Sequence, residues 1–458
     1  MRKIHIFAMI LALCMMFTVV ACTNGNTNDG TTTTNTNKTT EEQTTEKEEV
    51  TTTAPDDGEG EGEGEGEGEG EGEGEGTTTP PKYTWATQGG DGTAASPLII
   101  NQTNFVDFYN YYLQGGWNAF TEANEYFKLG SDIVVNEGDA ATWGTTAPAV
   151  VFNAPMSEFL GTLDGDGHTI SGLCIKTTTM RAALFNQMAY GSVVENLRVT
   201  NSYFEYAPEG DATWNYNSVA TIAARLNGGL IENCYSDAIL VCNYSTSATA
   251  IMVGGFVGMA NEADSKVNAC VFAGQIVAPM CRAGGIVGTS NNGGTDKGTR
   301  NVLISNCLNL GSVKGERAGA ILGTDENCQN STSAINKCIN LSKEIYVVKN
   351  GTETLANYLY GGIIGLTIDT YVIEEFATTA PEGGLTGIVA THGHTTGVDV
   401  DAEWANVTTT TKTLAEFLAL TATDFADWNF KANTIPCPIE GLEIALADYL
   451  TKWGITLN

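Results

Sequence analysis

Four segments of this chain share one pattern: Gly-Gly-Phe-Val-Gly at 254–258, Gly-Gly-Ile-Val-Gly at 284–288, Gly-Ala-Ile-Leu-Gly at 319–323 and Gly-Gly-Ile-Ile-Gly at 361–365. Each of the first three precedes a short apolar run with a Cys near its centre, at Cys270, Cys307 and Cys338, and Cys234 holds the same place one unit earlier. A unit recurring every 30 to 40 residues marks an array in which each unit buries its apolar face only against its neighbours. The four cysteines should then stack as a ladder of small buried hydrophobes. Disulfide geometry could span neighbouring rungs at ~4.8 Å, so a bridged pair stays open as an alternative.

Looser units precede the marked ones, at Ala183–Val199 and Ala220–Tyr235. The stack is predicted to begin at Phe159-Leu-Gly-Thr-Leu-Asp-Gly-Asp-Gly-His-Thr-Ile-Ser-Gly-Leu173, where short alternating strands are cut by glycine turns. Polar stretches of variable length at 291–300, 324–333 and 349–358 are expected on one face of the array. Ahead of the stack, Phe105, Phe108, Tyr109 and Tyr112 fall at helical spacing within Asn104–Gln114, between strands at 97–100 and 126–135. Such a piece suits a cap that blocks edge-to-edge pairing. Behind it, Leu414–Leu420 and Ile444–Trp453 have helical patterns, and Trp428, Phe430 and Trp453 are expected to plug the open end. The predicted fold is mainly β: a right-handed parallel β-helix (solenoid) with a small N-terminal α/β cap and a short helical C-terminal cap.

The stretch Ser96-Pro-Leu-Ile-Ile, the helix, Tyr126-Phe-Lys-Leu-Gly-Ser-Asp-Ile, the 159–173 motif, and repeats of the form Gly-Gly-Ile-Val-Gly followed by Ile-x-Asn-Cys together resemble GLUG-repeat proteins of bacterial surfaces. The resemblance spans roughly 96–440 and weakens at the Ala183 and Ala220 units and at 366–411. It implies a parallel β-helix-type solenoid, adhesin-like, at the cell surface; it carries no catalytic motif to transfer.

The amino terminus has Arg2 and Lys3, an apolar run from Ile4 to Val20, then Ala21-Cys22, which reads as a secretory signal. Its close is similar to a bacterial lipobox, which implies lipid attachment on Cys22 and hence membrane association. Residues 23–81 have no apolar periodicity and carry 17 acids against Lys38 and Lys47, supplying 15 of the 32 net negative charges. Such a segment cannot bury enough apolar surface to offset its ordering entropy. The predicted layout is a signal peptide at 1–21, a disordered acidic linker at 22–81, a capping region at 82–158, the solenoid at 159–411 and a C-terminal cap at 412–458. Residues 82–458 keep a net charge of −19, so the body lacks the basic footprint that a nucleic-acid backbone requires.

No cofactor, metal or catalytic residue is assigned. Asp164-Gly-Asp-Gly-His168 is half of a calcium loop, yet the Glu required at position twelve is replaced by Ile175, so it reads as a turn. His392 and His394, with Asp399 and Asp401, could share a strand face toward a metal, but no third histidine supports this. Arg225, Arg282, Arg300 and Arg317 fall at no shared repeat position, which weighs against a lyase-like basic cluster. Tyr203, Tyr206, Trp214 and Tyr216 crowd one insert among Asn, Asp and Glu, and are the candidate ligand-binding residues; packing on the flank is the competing reading. The functional expectation is a lipid-anchored solenoid on the extracellular face of a bacterial membrane that binds a glycan or protein. Capture or degradation of polysaccharide, and a structural role without a discrete ligand, are the alternatives.

Overall fold

The computed structural model describes residues 83–86, 89–114, 124–178, 181–208, 217–244, 251–261, 264–291, 302–326, 334–342, 344–349, 352–355, 372–374, 376–380, 409–423 and 425–455. The chain divides into two units, Met1–Glu75 and Gly76–Asn458, and every described residue belongs to the second. The predicted signal, Cys22 and linker, the fourth glycine motif at 361–365, and His392, His394, Asp399 and Asp401 all lie outside the described residues.

The second unit is a parallel β-solenoid. One coil runs through Val193–Glu195 in a first sheet, Arg198–Thr200 in a second, Tyr203–Tyr206 and Asn217–Ala220 in a third, and Ala223–Leu226 in a fourth. Leu230–Glu232 then pairs in parallel with Val193–Glu195 and starts the next coil. Among the described residues, the first and second sheets each contain nine strands and the fourth contains six. Inside, equivalent residues stack: Leu163, Val194, Ile231, Val267, Ile304 and Ile335 are register partners in sequence, and all are buried.

Two corners carry the repeat. Between the first and second sheets the chain passes through the left-handed region at Asn196 (φ 55°), Asn233 (54°), Ala269 (50°), Asn306 (52°) and Lys337 (52°). Asparagine tolerates that conformation better than other side-chain-bearing residues. The next residue points inward, and there the predicted Cys ladder stands: Cys234, Cys270, Cys307 and Cys338 are all buried and unbridged. Each thiol donates to the carbonyl two residues back, Glu232 O at 3.1 Å, Asn268 O at 3.2 Å, Ser305 O at 3.1 Å and Asn336 O at 3.4 Å.

Between the third and fourth sheets lie the glycines. Gly254, Gly255, Gly258, Gly284, Gly285 and Gly288 have no positive φ; what they need is room. A methyl group on Gly254 would sit 1.9 Å from the Val257 carbonyl oxygen, one on Gly284 1.9 Å from that of Val287, and one on Gly255 2.0 Å from that of Gly285. The third glycine faces back across the corner, Gly258 onto Ser218 and Gly288 onto the backbone of Gly258 and Val253. In the looser units alanine substitutes: Ala220 is the register partner of Gly254, and Ala183, Ala220 and Ala224 form a small cluster of their own.

At the front, the helix Phe105–Gln114 lays Phe105, Phe108, Tyr109 and Tyr112 into the core of the first coil. The Tyr109 ring stacks on Phe152 with centroids 3.7 Å apart, its hydroxyl donates to Ala154 O, and Ser157 Oγ donates to Tyr112 O. The C-terminal segment differs from the expected plug. Its helices Leu414–Leu418 and Leu446–Trp453 and the aromatic residues Trp428, Phe430 and Trp453 lie along the flank, against Val271, Leu308, Leu310, Ile339 and Leu341 of the second sheet. Tyr449 donates its hydroxyl to Leu341 O at 2.8 Å, and Lys452 Nζ reaches Ala273 O and Leu310 O, both at 3.1 Å. The reason is an apolar outward row on the second sheet, Val271, Leu308 and Ile339, most complete in the strand where Cys270 and Phe272 face in while Val271 faces out. A strand of that kind reads as a continuous apolar run and needs cover on each face.

Insertion also occurs at two corners and not one. Residues 292–301 and 327–333 connect the fourth sheet to the first, whereas 209–216 and 245–250 connect the two stretches of the third. In the coils with Gln275–Gly284 and Ser312–Gly319 the latter break closes to a register shift between Ala278 and Arg282.

The two corners respond oppositely to substitution. Ala269→Asn places a residue suited to φ 50° and should raise the unfolding free energy by about 1 kcal/mol, read by thermal or denaturant unfolding; an unchanged or lowered midpoint would count against strain at that site. Gly288→Ala drives a methyl group into backbone and should lower stability by about 1–3 kcal/mol, by the same measurement.

Candidate functional site

Of the four aromatic candidates, two are described, and neither is available on the surface. Tyr203-Phe204-Glu205-Tyr206 is a strand of the third sheet, paired with Cys174–Thr177 and Ile239–Cys242, and not part of a loop. Tyr203 is 5% exposed: it packs with Ala140, Trp143, Cys174 and Val241, and Lys176 Nζ lies 5.2 Å from its ring centroid. Tyr206 is 2% exposed and belongs to the inner core, its hydroxyl accepting from Asn217 Nδ2 at 2.6 Å. Packing is the role of both. Trp214 and Tyr216 lie outside the described residues.

The half calcium loop is a self-contained turn, with Asp166 (φ 51°) and Gly167 (φ 77°) in the left-handed region. Asp164 Oδ1 accepts from the Asp166 N–H at 2.8 Å and from Asn196 Nδ2 at 2.9 Å; Asp166 pairs with Lys128 at 3.0 Å, and His168 Nδ1 lies 3.2 Å from Asp132 Oδ1. The arginines need a correction. Arg282 and Arg317 are register partners on successive coils, so they do share a repeat position. Both precede Ala-Gly, at 283–284 and 318–319, which was visible in the sequence.

The open faces follow from what covers the others. The C-terminal segment covers the second sheet. The glycine corner folds the fourth sheet against the third. Ala140 and Trp143 cover the early part of the third sheet, whose later part shows Val277 (37% exposed) and Lys314, with Lys314 Nζ 5.9 Å from the Tyr346 ring.

Among the described residues, nothing buries the outer face of the first sheet. One row of that face runs in register through Lys128, Asp164, Glu195, Glu232, Asn268, Ser305 and Asn336. Every position in it is polar, and each from Glu232 onward stands two residues before a ladder Cys. That alignment was the missed signal. The corner asparagines border the row: Asn233 Nδ2 donates to Asn196 Oδ1 at 2.6 Å, Asn268 Nδ2 to Glu232 Oε1 at 2.5 Å, Ser305 Oγ to Asn268 Oδ1 at 2.7 Å, and Asn306 Nδ2 to Asn268 Oδ1 at 3.0 Å. The result is a half-exposed ladder of carboxylates, amides and a hydroxyl repeating at strand spacing of ~4.8 Å. It can offer donors and acceptors to an extended polar ligand over several coils. Burial, with Asp164 and Glu232 on either side, pushes the Glu195 carboxyl up from the usual carboxylate range.

No family model matches the chain. It is 28% identical over 176 residues to Halomucin of Haloquadratum walsbyi, an alignment that covers 37% of this chain and 2% of that protein. The crystal structure of a candidate immunoglobulin A1 protease from Bacteroides ovatus is similar over 76% of this chain and 94% of its own, with a TM-score of 0.44 and 18% sequence identity.

Because the folded-state pKa of Glu195 is raised, its ionised form opposes folding. That opposition is absent below the unfolded-state pKa, sets in as pH rises through it and is complete above the folded-state pKa. Glu195→Gln should therefore stabilise the protein at neutral pH by about 0.2–1 kcal/mol, the scale of a cross-strand pair, and the gain should vanish in acid. Unfolding midpoints of both proteins across pH test this; a gain that grows on acidification would contradict it.

Proposed function

We propose that this chain is displayed on the outer side of a bacterial cell, anchored by lipid on Cys22 and spaced from the membrane by residues 22–81, and that it binds an extracellular glycan or protein, as an adhesin does. The polar row on the outer face of the first sheet carries this reading. It is continuous over successive coils, it is uncovered among the described residues while the second sheet and the early third sheet are covered, and its groups suit hydroxyl-rich or extended peptide ligands. The likeness of the glycine and Ile-x-Asn-Cys repeats to GLUG-repeat surface proteins supports display, as does the lipobox-like Ala21-Cys22.

The mature protein on a broad glycan and matrix-protein array, read for both binding and product, tests the role. Saturable binding without product is expected. Glu232→Ala with Asn268→Ala should weaken it at least about tenfold, the loss of roughly one charge-assisted hydrogen bond, while Val277→Ser on the third sheet should leave it intact. Binding insensitive to the row, or product formation that stops on changing one carboxylate, would overturn the reading. Cys22→Ser should move the protein from the membrane fraction to the medium; unchanged membrane retention would refute the lipid anchor.

A further inference from the structure

Cys242 and Cys281 stand apart from the corner ladder. Cys242 ends the strand Ile239–Cys242, and Cys281 lies in Gln275–Gly284 on the next coil. Their sulfurs are 3.2 Å apart and both side chains are buried. The strand Gln275–Gly284 pairs with Ile239–Val241 through Gln275–Val277 and with Met252–Gly254 through Arg282–Gly284. Cys281 falls between those two paired stretches, four residues past Val277, the partner of Val241, so it approaches Cys242 out of register.

That offset matters chemically. Stacked rungs hold equivalent β-carbons ~4.8 Å apart, whereas a disulfide wants them nearer 3.8 Å. The corner thiols are held at rung spacing and already donate to carbonyls. Cys242 and Cys281 escape that constraint. Among the described cysteines, Cys174 and Cys437 lie in separate clusters, one on the third-sheet flank and one under the C-terminal segment.

We propose that Cys242 and Cys281 form a disulfide, an inter-coil staple made as the chain folds in the presence of a small-molecule disulfide such as oxidised glutathione. One cysteine thiolate attacks the oxidant, forming a mixed disulfide and expelling one thiolate. The second cysteine thiolate attacks the protein sulfur of that mixed disulfide and expels the other. Two cysteine thiols and one small disulfide thus give one protein disulfide and two small thiols, the cysteine protons passing to the released thiolates. Exchange precedes closure of the coil, since both sulfurs are buried afterwards. The bridge would close one whole coil and restrict the unfolded chain.

The test is oxidative refolding of the full chain with oxidised glutathione, alkylation of remaining thiols in denaturant, and mass spectrometry of tryptic peptides without reduction. Peptides 226–266 and 267–282 should appear linked, with the loss of two hydrogens. Each peptide also holds a ladder cysteine, Cys234 or Cys270, so variants decide the pairing. Cys242→Ser and Cys281→Ser should each abolish the link, while Cys234→Ser with Cys270→Ser should retain it. The oxidised wild type should unfold at a higher temperature than the reduced protein, a difference that Cys281→Ser removes. Full alkylation of all four cysteines in the oxidised wild type, or a link that survives Cys242→Ser and Cys281→Ser, would overturn the proposal. Should a variant misfold, fragmentation of the linked wild-type peptides still decides: alkyl groups on Cys234 and Cys270 support the staple, and alkyl groups on Cys242 or Cys281 overturn it.

Discussion

The fold depends on a place where two backbones come too close for a side chain. At the corner between the third and fourth sheets, a single methyl group on Gly254 or Gly284 would fall within 2 Å of a carbonyl oxygen three residues on. The same glycines also meet the neighbouring coil, Gly254 at the Gly288 nitrogen and Gly284 at that of Gly323. The corner is thus closed within a coil and between coils at once, and it must recur with every turn of the stack. Backbone freedom is not the issue, because these glycines have ordinary negative φ. The opposite corner uses left-handed residues and tolerates asparagine, alanine or lysine. One corner is limited by space and the other by conformation.

This asymmetry governs which surfaces can serve a function. Closing the glycine corner turns the fourth sheet onto the third, where Met252, Met259, Thr289 and Thr324 are all buried. The second sheet is apolar outward and takes the C-terminal segment. The helix Phe105–Gln114 fills the front of the stack. Among the described residues, the outer face of the first sheet remains as the longest uncovered run of in-register polar groups. Burial there, with Asp164 and Glu232 on either side, holds the Glu195 carboxyl above the usual carboxylate range, so its ionised form opposes folding. Asn196 and Asn268 ease that crowding by donating amide hydrogen bonds to Asp164 and Glu232.

Much of the interior was legible in the sequence, since a stack repeats its steric demands at fixed spacing. The Gly-Gly-Phe-Val-Gly and Ile-x-Asn-Cys patterns marked both corners, and the aromatic spacing marked the helix. The Ala220 unit looked irregular because alanine does there what glycine does later. Outward faces were harder to read. Tyr203 and Tyr206 looked like loop aromatics, yet strand alternation sends one under Trp143 and the other into the core. The apolar outward row at Val271, Leu308 and Ile339 was merged with the inward row, which concealed the flank that the C-terminal aromatics cover. Polar residues two before each Cys carried no apolar period, so the candidate face became visible only once the coils were in register.

Register is therefore the central claim, and spin-label proximity tests it most directly. Lys266 and Leu303 are partners on successive coils of the first sheet. The eight described native thiols are buried, so labels introduced by Lys266→Cys and Leu303→Cys are the accessible ones among the described residues. Rungs ~4.8 Å apart predict strong dipolar broadening of the electron paramagnetic resonance spectrum in the doubly labelled protein. Spectra equal to the sum of the two singly labelled proteins would contradict the stacked register and, with it, the polar row.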